Sequence, residues 1–379
     1  MKILYCLAGT FNSGGMERIV IRKANWLVQH GYEVYIVTTD QKGRHNFFEI
    51  NSGIRTIDLE INYCDNNNSG FIKKIFSRHF KIKKHKKRLT NLVKEIDPDI
   101  IVSTYGNEVE FLHLMQCRAK KIVEIHFAKL FRLQSSQSLL YRLSNGYLTL
   151  RDEKIIKEYD AFVTLTKEDA EQWGKIPNIH IIPNFIDKRA DKPAQLEQNR
   201  AIAIGRLSFQ KGYDRMIRTW ALVRKQHPDW ILEIYGSNNG VDLKQLISEY
   251  DLNKSCLIHS PVSDIDDKIQ KSSMLLLTSH YEGLPMVFLE AMSNGLPIIS
   301  MECKCGPKDI IKEGKTGFIV PNGDISMMSD RICTLIEDLS LRKLMGKNAY
   351  EKSVDYTIEK IMPRWVDLFN ELINPKSKD

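Results

Sequence analysis

The sequence predicts an α/β fold built as two parallel-sheet units, on three observations. Short apolar runs alternate with longer amphipathic stretches along nearly the whole chain, the pattern of strands feeding helices that cover both faces of a sheet. At 379 residues the chain exceeds one ordinary α/β domain and suits two of roughly 150–200 residues. A polar stretch without apolar periodicity divides it into halves of like architecture.

In the first half the predicted strands are Ile3–Ala8, Glu33–Thr38, Arg55–Leu59, Ile100–Thr104, Ile122–His126 and Ala161–Leu165. The opening Met-Lys-Ile-Leu-Tyr-Cys reads as a strand. It has no basic leader, long apolar run or small-residue cleavage site, so the expectation is a chain that stays in the cytoplasm. The junction is Ile182-Pro-Asn-Phe-Ile-Asp187, followed by the polar Lys188–Asn199 with Pro193 inside it. In the second half the predicted strands are Ala201–Ile204, Ile231–Tyr235, Cys256–His259, Met274–Thr278, Pro297–Ser300 and Gly317–Val320. The expected boundaries are a first domain over 1–185, a linker over 186–198, a second domain over 199–356 and a terminal helix over 357–379. That helix carries Ile361, Trp365, Leu368, Phe369 and Leu372 on one face and is expected to pack back toward the first domain.

Composition narrows the class. Hydrophobic residues are 42% and charged residues 27%, as in a folded globular protein. Mean hydropathy is -0.31, and no apolar run is long enough to span a bilayer. The seven cysteines are scattered, and Cys303-x-Cys305 has no second pair to complete a zinc site, so reduced thiols are expected. The net charge of +8 suits anionic partners. Part of it is concentrated in Phe71–Arg88, where Lys73, Lys74, Arg78, Lys81 and Lys84 are interleaved with aromatic and aliphatic residues and no acid occurs. This basic amphipathic pattern is expected to meet a membrane surface or an anionic acceptor. A nucleic-acid-binding protein using residues 71–88 is an alternative, although no reading motif accompanies them.

Two motifs carry the chemistry. Gly205-Arg-Leu-Ser-Phe-Gln-Lys-Gly212 follows the first strand of the second half, so Arg206 and Lys211 share a glycine-bounded loop. An Arg fork and a Lys point charge there suit a diphosphate, and would neutralise charge developing on a diphosphate leaving group. Glu282-Gly-Leu-Pro-Met-Val-Phe-Leu-Glu290 follows another strand and opens a helix, with Pro285 in its first turn and Gly295 just past its end. Helix N-termini at the carboxyl edge of a parallel sheet favour phosphate. A carboxylate accepts two hydroxyl hydrogen bonds at once, which suits a sugar diol. Gly14 and Gly15 follow the first strand and permit close backbone approach to a ligand. Neither half has a Gly-x-Gly-x-x-Gly fingerprint, which argues against an oxidoreductase. Asp97-Pro-Asp99 resembles a metal-binding D-x-D, but Pro98 places it where a helix yields to a strand. With Arg206 and Lys211 supplying charge, no metal is required.

The G-R-L-x-x-x-K-G loop followed by E-x7-E resembles glycosyltransferase family 4, as do Ile182-Pro-Asn-Phe-Ile-Asp187 and Gly14-Gly15-Met-Glu-Arg18, and the resemblance spans nearly the whole chain. It implies the GT-B fold, two Rossmann-like doubly wound domains facing a central cleft, and transfer with retention of anomeric configuration. It implies that Arg206 and Lys211 bind the donor diphosphate, Glu282 contacts the donor sugar and Glu290 binds the ribose hydroxyls. The backbone of Gly283, Leu284, Pro285 and Met286 would line sugar and phosphate, with Gly15 approaching from the first domain. His126 would contact the donor sugar near the reacting centre, where an imidazole can also help move the acceptor proton. The loop Ser260-Pro-Val262 would meet the nucleobase through its backbone. Met301-Glu-Cys-Lys-Cys-Gly-Pro-Lys-Asp resembles a subgroup that builds surface polysaccharides from UDP-sugars, with Lys304, Cys305 and Lys308 departing from that subgroup's pattern. The expected partners are therefore a UDP-sugar and a glycan or lipid-linked acceptor, without cofactor or nucleic acid. A nucleotide-sugar epimerase or phosphorylase of the same fold is the alternative enzyme.

Overall fold

A computed structural model describes residues 1–66, 71–129, 139–238, 240–262, 264–375; side chains of 66, 71–76, 139–145 and 147 are excluded. Two parallel sheets form. The first holds β1 (Lys2–Leu7), β2 (Glu33–Thr38), β3 (Arg55–Asp58), β4 (Ile100–Ser103), β5 (Lys120–Glu124), β6 (Ala161–Thr164) and β7 (Ile179–Ile181) in the order β3-β2-β1-β4-β5-β6-β7. The second holds β8 (Arg200–Ile204), β9 (Ile231–Tyr235), β10 (Cys256–His259), β11 (Met274–Leu277), β12 (Ile298–Met301) and β13 (Gly317–Val320) in the order β10-β9-β8-β11-β12-β13.

Both orders reverse direction once, between β1 and β4 and between β8 and β11. At such a switch point the crossing helices leave on opposite faces, and a crevice opens outside the strands' carboxyl ends. The central strands are buried on both faces, as parallel strands under helices must be: β4 is Ile-Ile-Val-Ser and β11 is Met-Leu-Leu-Leu.

Three differences from the sequence reading have physical causes. β7 was missed because it is three residues long and runs straight into the junction. β5 ends at Glu124, so His126 lies just beyond the strand rather than ending it. The polar stretch after Asp187 contains no helix or strand, yet it is tied down along its length. The N–H groups of Ala190 and Ala194 donate to Ser293 and Asn294 carbonyls at 3.1 and 2.8 Å, and Arg342 Nε donates to the Leu196 carbonyl at 2.9 Å. Backbone and buried Arg contacts leave no periodicity to read.

The two units share structure at the junction and at the terminus. Phe185 is buried in the first core and Ile186 in the second. The Ile358–Ile373 helix lays Ile361, Met362, Trp365, Leu368 and Phe369 into the core beneath β1. Their spacing makes one apolar stripe, which the first unit covers. No helix among the described residues is long and apolar enough to cross a membrane.

Candidate active site

The two switch points face each other. From the second sheet, the loop after β8 carries Arg206 and Lys211 and the loop after β11 carries Glu282, so the pair of motifs flanks the β8/β11 crevice. Lys211 Nζ donates to Glu282 Oε1 at 2.7 Å, and Ser279 Oγ donates to the same oxygen at 2.6 Å. Both partners of the ion pair are mostly shielded, with side chains 16% and 8% exposed. Arg206 is exposed and makes no hydrogen bond or ion pair among the described residues. The turn that follows Lys211 needs Gly212: its φ is +60°, and a Cβ there would run into the Thr278 carbonyl of the neighbouring loop.

The helix Met286–Ser293 starts at the end of the Glu282 loop, with Pro285 as N-cap and no side-chain cap. Its first N–H groups are left without an intrahelical partner. The Gly15–Gln29 helix of the first unit likewise starts at Gly14 without a side-chain cap. The two starts approach each other: a Cβ on Gly15 would lie 3.8 Å from Met286 Cγ. Gly283 is closer still to the opposite wall. A Cβ on it would stand 2.6 Å from the His126 carbonyl oxygen and 2.9 Å from Phe127 Cα, so only glycine fits. Leu284 behind it is buried. The loop Cys303–Gly306 braces this segment: Glu282 N–H donates to the Lys304 carbonyl at 3.3 Å. Burial pushes the Cys303 and Cys305 thiols well up, with Glu282 and Asp169 respectively adding to it, so neither is a ready nucleophile.

Glu290 is already engaged across the cleft. Arg18, from the Gly15–Gln29 helix, donates from Nη2 to Glu290 Oε1 at 2.5 Å. One turn on, Arg22 pairs with Asp187 of the junction. Burial raises the Asp187 carboxyl, with Arg22 and Arg18 opposing. Near the cleft's far end Asp309 accepts from the Lys167 and Glu168 N–H groups at 3.1 and 3.3 Å, and Glu168 accepts from the Cys305 N–H at 3.0 Å.

His126 lies beyond β5 with its side chain 4% exposed. Behind it, the ammonium of Lys23 and the carboxylate of Glu124 form an ion pair whose side chains are each 1% exposed. Glu124 Oε1 is 3.5 Å from His126 Nε2.

The structure thus gathers Gly14, Gly15, His126, Arg206, Lys211, Glu282, Gly283, Leu284, Met286 and Glu290 around one cleft. Val262 stands farther along the same sheet edge, exposed beyond edge strand β10. Asp97 and Asp99 stand at the opposite edge, held by Arg118 and by the Lys2 N–H. The basic segment is the start of a helix, Phe71–Ile96. Arg78 pairs with Glu110, Lys81 donates to the Asn62 carbonyl and Lys84 to the Glu60 carbonyl, so these three are tied to other parts of the first unit. The side chains of Lys73 and Lys74 fall outside the described residues. Phe80, Lys83 and Lys87 are exposed at helical spacing.

Arg18, Ser279, Lys23 and Glu124 were not singled out from sequence. Arg18 sits inside a motif read for its glycines. Lys23 interrupts the apolar stripe Ile19, Val20, Ala24, Leu27, and Glu124-x-His126 has the period of two that puts both side chains on one face of a strand.

The sequence matches the family described as Glycosyl transferases group 1 over residues 184–352 and Glycosyltransferase Family 4 over residues 13–190. An uncharacterized glycosyltransferase of Haemophilus influenzae is 30% identical over 372 residues, covering 96% of this chain and 98% of that one. The amylovoran biosynthesis glycosyltransferase AmsD of Erwinia amylovora is 29% identical over 389 residues, covering 97% and 99%. Among solved structures, a TarM variant from S. aureus in complex with fondaparinux, alpha-GlcNAc-glycerol and UDP superposes with a TM-score of 0.76 at 17% identity, covering 97% of this chain and 99% of that one.

Proposed function

The chain belongs to glycosyltransferase family 4 and is an enzyme of the GT-B fold, and from that premise we propose that it moves a sugar from a UDP-sugar to a hydroxyl of a lipid-linked glycan, with retention of anomeric configuration, in polysaccharide or glycoconjugate biosynthesis. One observation carries the reading: the Lys211–Glu282 pair and two uncapped helix starts converge on one cleft between the switch points. Polysaccharide synthesis draws support from the name of the Erwinia relative, and UDP from the TarM complex.

The diphosphate lies at the Met286 and Gly15 helix starts, where N–H groups and helix dipoles favour anions. Arg206 joins it from the exposed side. Lys211 exchanges its contact with Glu282 for a phosphate oxygen, which releases Glu282 to accept from sugar hydroxyls while Ser279 still holds it. Glu290 takes the ribose hydroxyls beside Arg18. The acceptor hydroxyl attacks on the face the diphosphate leaves, and the departing phosphate takes its proton. Arg206 and Lys211 stabilise the charge that develops. The charge needed is supplied by side chains, and turnover is expected to persist in EDTA.

A lipid-linked acceptor places the enzyme at the cytoplasmic membrane face, held peripherally by Phe80, Lys83 and Lys87 of the Phe71–Ile96 helix. Flotation with anionic vesicles at low salt tests this; failure to bind sinks it. Thermal shifts with UDP-, GDP- and ADP-sugars, followed by product analysis with lipid-linked acceptors, test the transfer. Epimerised or phosphorolysed donor without a glycan product would favour the alternative enzyme.

A further inference from the structure

The ion pair buried under the first wall of the cleft has no role in holding a donor, and it is costly. Two charges removed from water lose solvation that their mutual attraction repays only with good geometry, and an apolar pair of like volume would pack the same space. Lys23 sits where the Gly15–Gln29 helix otherwise presents Ile19, Val20, Ala24 and Leu27 to the core. Its ammonium is 4.0 Å from the centre of the Trp365 ring and 5.6 Å from that of Tyr5. The terminal helix therefore closes the pocket around the charge, and ring faces stabilise the cation there. Its one ionic partner among the described residues is Glu124.

Glu124 uses one carboxylate oxygen on Lys23. The other, Oε1, has no hydrogen-bond partner among the described residues, and neither do Nδ1 and Nε2 of His126. Three buried polar atoms without partners in one spot are unusual, because each forfeits hydrogen bonds to water. They are also close: Glu124 Oε1 stands 3.5 Å from His126 Nε2, and a small turn of the ring brings a proton on Nε2 into line with it. His126 in turn presses its backbone against Gly283 across the cleft.

We propose that Glu124 is a positioning residue for His126: it accepts the Nε2–H, and Lys23 keeps the carboxylate ionised in the core so that it can. The imidazole is thereby held in one tautomer and one orientation. Nδ1, buried in the cleft wall, remains the unprotonated nitrogen, an acceptor for a hydroxyl of the donor sugar that docks against it. The inference rests on the proposed placement of His126 beside the donor sugar.

The test uses the full-length enzyme with its active UDP-sugar. In Lys23→Met/Glu124→Leu the ion pair is exchanged for apolar volume, so the fold is expected to survive with a similar Tm. Donor KM should stay within about twofold while kcat falls at least about 10-fold, because the group that orients the histidine is lost. The same exchange added to His126→Ala should cost nothing further, since its effect passes through the imidazole. Nitrogen-15 spectra of labelled histidine should show the His126 proton on Nε2 in the native enzyme and a mixture of tautomers in the exchanged one. Glu124→Gln, which keeps the shape, serves if the double variant does not fold; it should show the same lack of additivity with His126→Ala. Native kcat in the exchanged enzyme, or losses that multiply with His126→Ala, would overturn the proposal while leaving the transferase reading intact. Native turnover in His126→Ala, or no transfer by the native enzyme from any nucleotide-sugar, would strike the reading itself.

Discussion

The two walls of the cleft use charge in opposite ways. On the second unit's side, Arg206, Lys211 and Glu282 stand on loops after the adjacent strands β8 and β11, with Arg206 exposed and the Lys211–Glu282 pair mostly shielded beside it. On the first unit's side, the charges of Lys23 and Glu124 lie inside the core, behind His126. A wall that receives a diphosphate must have cations whose partners can be exchanged for phosphate oxygens. A wall that faces the reacting sugar gains from a fixed, water-free arrangement, where electrostatic interactions are strongest.

The sharpest break in this comparison is expected at Arg206. It has no intramolecular partner among the described residues, so Arg206→Ala should lower kcat/KM by about 10²-fold or more with no change in Tm. Lys211→Ala should lose activity on the same scale and stability as well. It strands Glu282, whose side chain is 8% exposed, at a cost of about 1–3 kcal/mol. Kinetics and thermal denaturation side by side check both. Equal Tm losses in the two variants would erase the distinction drawn within this wall.

The opposite wall should fail by stability first. Burial already lowers the Lys23 ammonium and Glu124 opposes this, so Glu124→Ala leaves Lys23 in the core without its counter-ion, and breaking such a pair costs about 3–5 kcal/mol. The apolar double exchange should be near neutral at pH 7. Acid sharpens the contrast. Burial pushes the Glu124 carboxyl up, but Lys23 and His126 outweigh it and bring it down to about 2. A carboxyl lowered on folding contributes stability that is complete above its unfolded value of about 4.3. That contribution is lost as pH falls from there through about 2. The native enzyme should therefore lose more stability over this window than the double exchange does, measured by denaturant midpoints at each pH.

How legible each wall was in the sequence follows from how it is built. The second wall is short-range: the Arg206–Lys211 loop and the Glu282–Glu290 segment each follow a strand and carry charge beside glycine, a pattern that survives in one dimension. The alternating apolar runs likewise announced parallel sheets, because buried strands such as Met274–Leu277 leave an unbroken apolar record. The first wall is long-range. Lys23 and Glu124 are 101 residues apart, and Trp365 comes from the far end of the chain. No local rule pairs a lysine in a helix with a glutamate ending a strand. The basic segment shows the reverse: its charge run was plain, but several of its cations turn back onto loop carbonyls, which composition cannot reveal.

Between the walls stands one contact that belongs to both, and it should show the smallest effect. Arg18 and Glu290 have side chains 23% and 15% exposed, so water still screens them, and the pair is expected to contribute about 1 kcal/mol or less. Arg18 holds one oxygen of the carboxylate in place and draws the two helix starts together. In the proposed complex its removal lets Glu290 turn away from the ribose and lets the units part. Arg18→Ala should therefore weaken UDP binding by about fivefold or less, the affinity equivalent of that energy, with kcat little changed. Calorimetry with UDP measures it. Tighter binding in the variant would reverse the assignment: Arg18 would then be a competitor that the donor must displace from Glu290, and the contact would hold the empty enzyme closed rather than prepare it for its substrate.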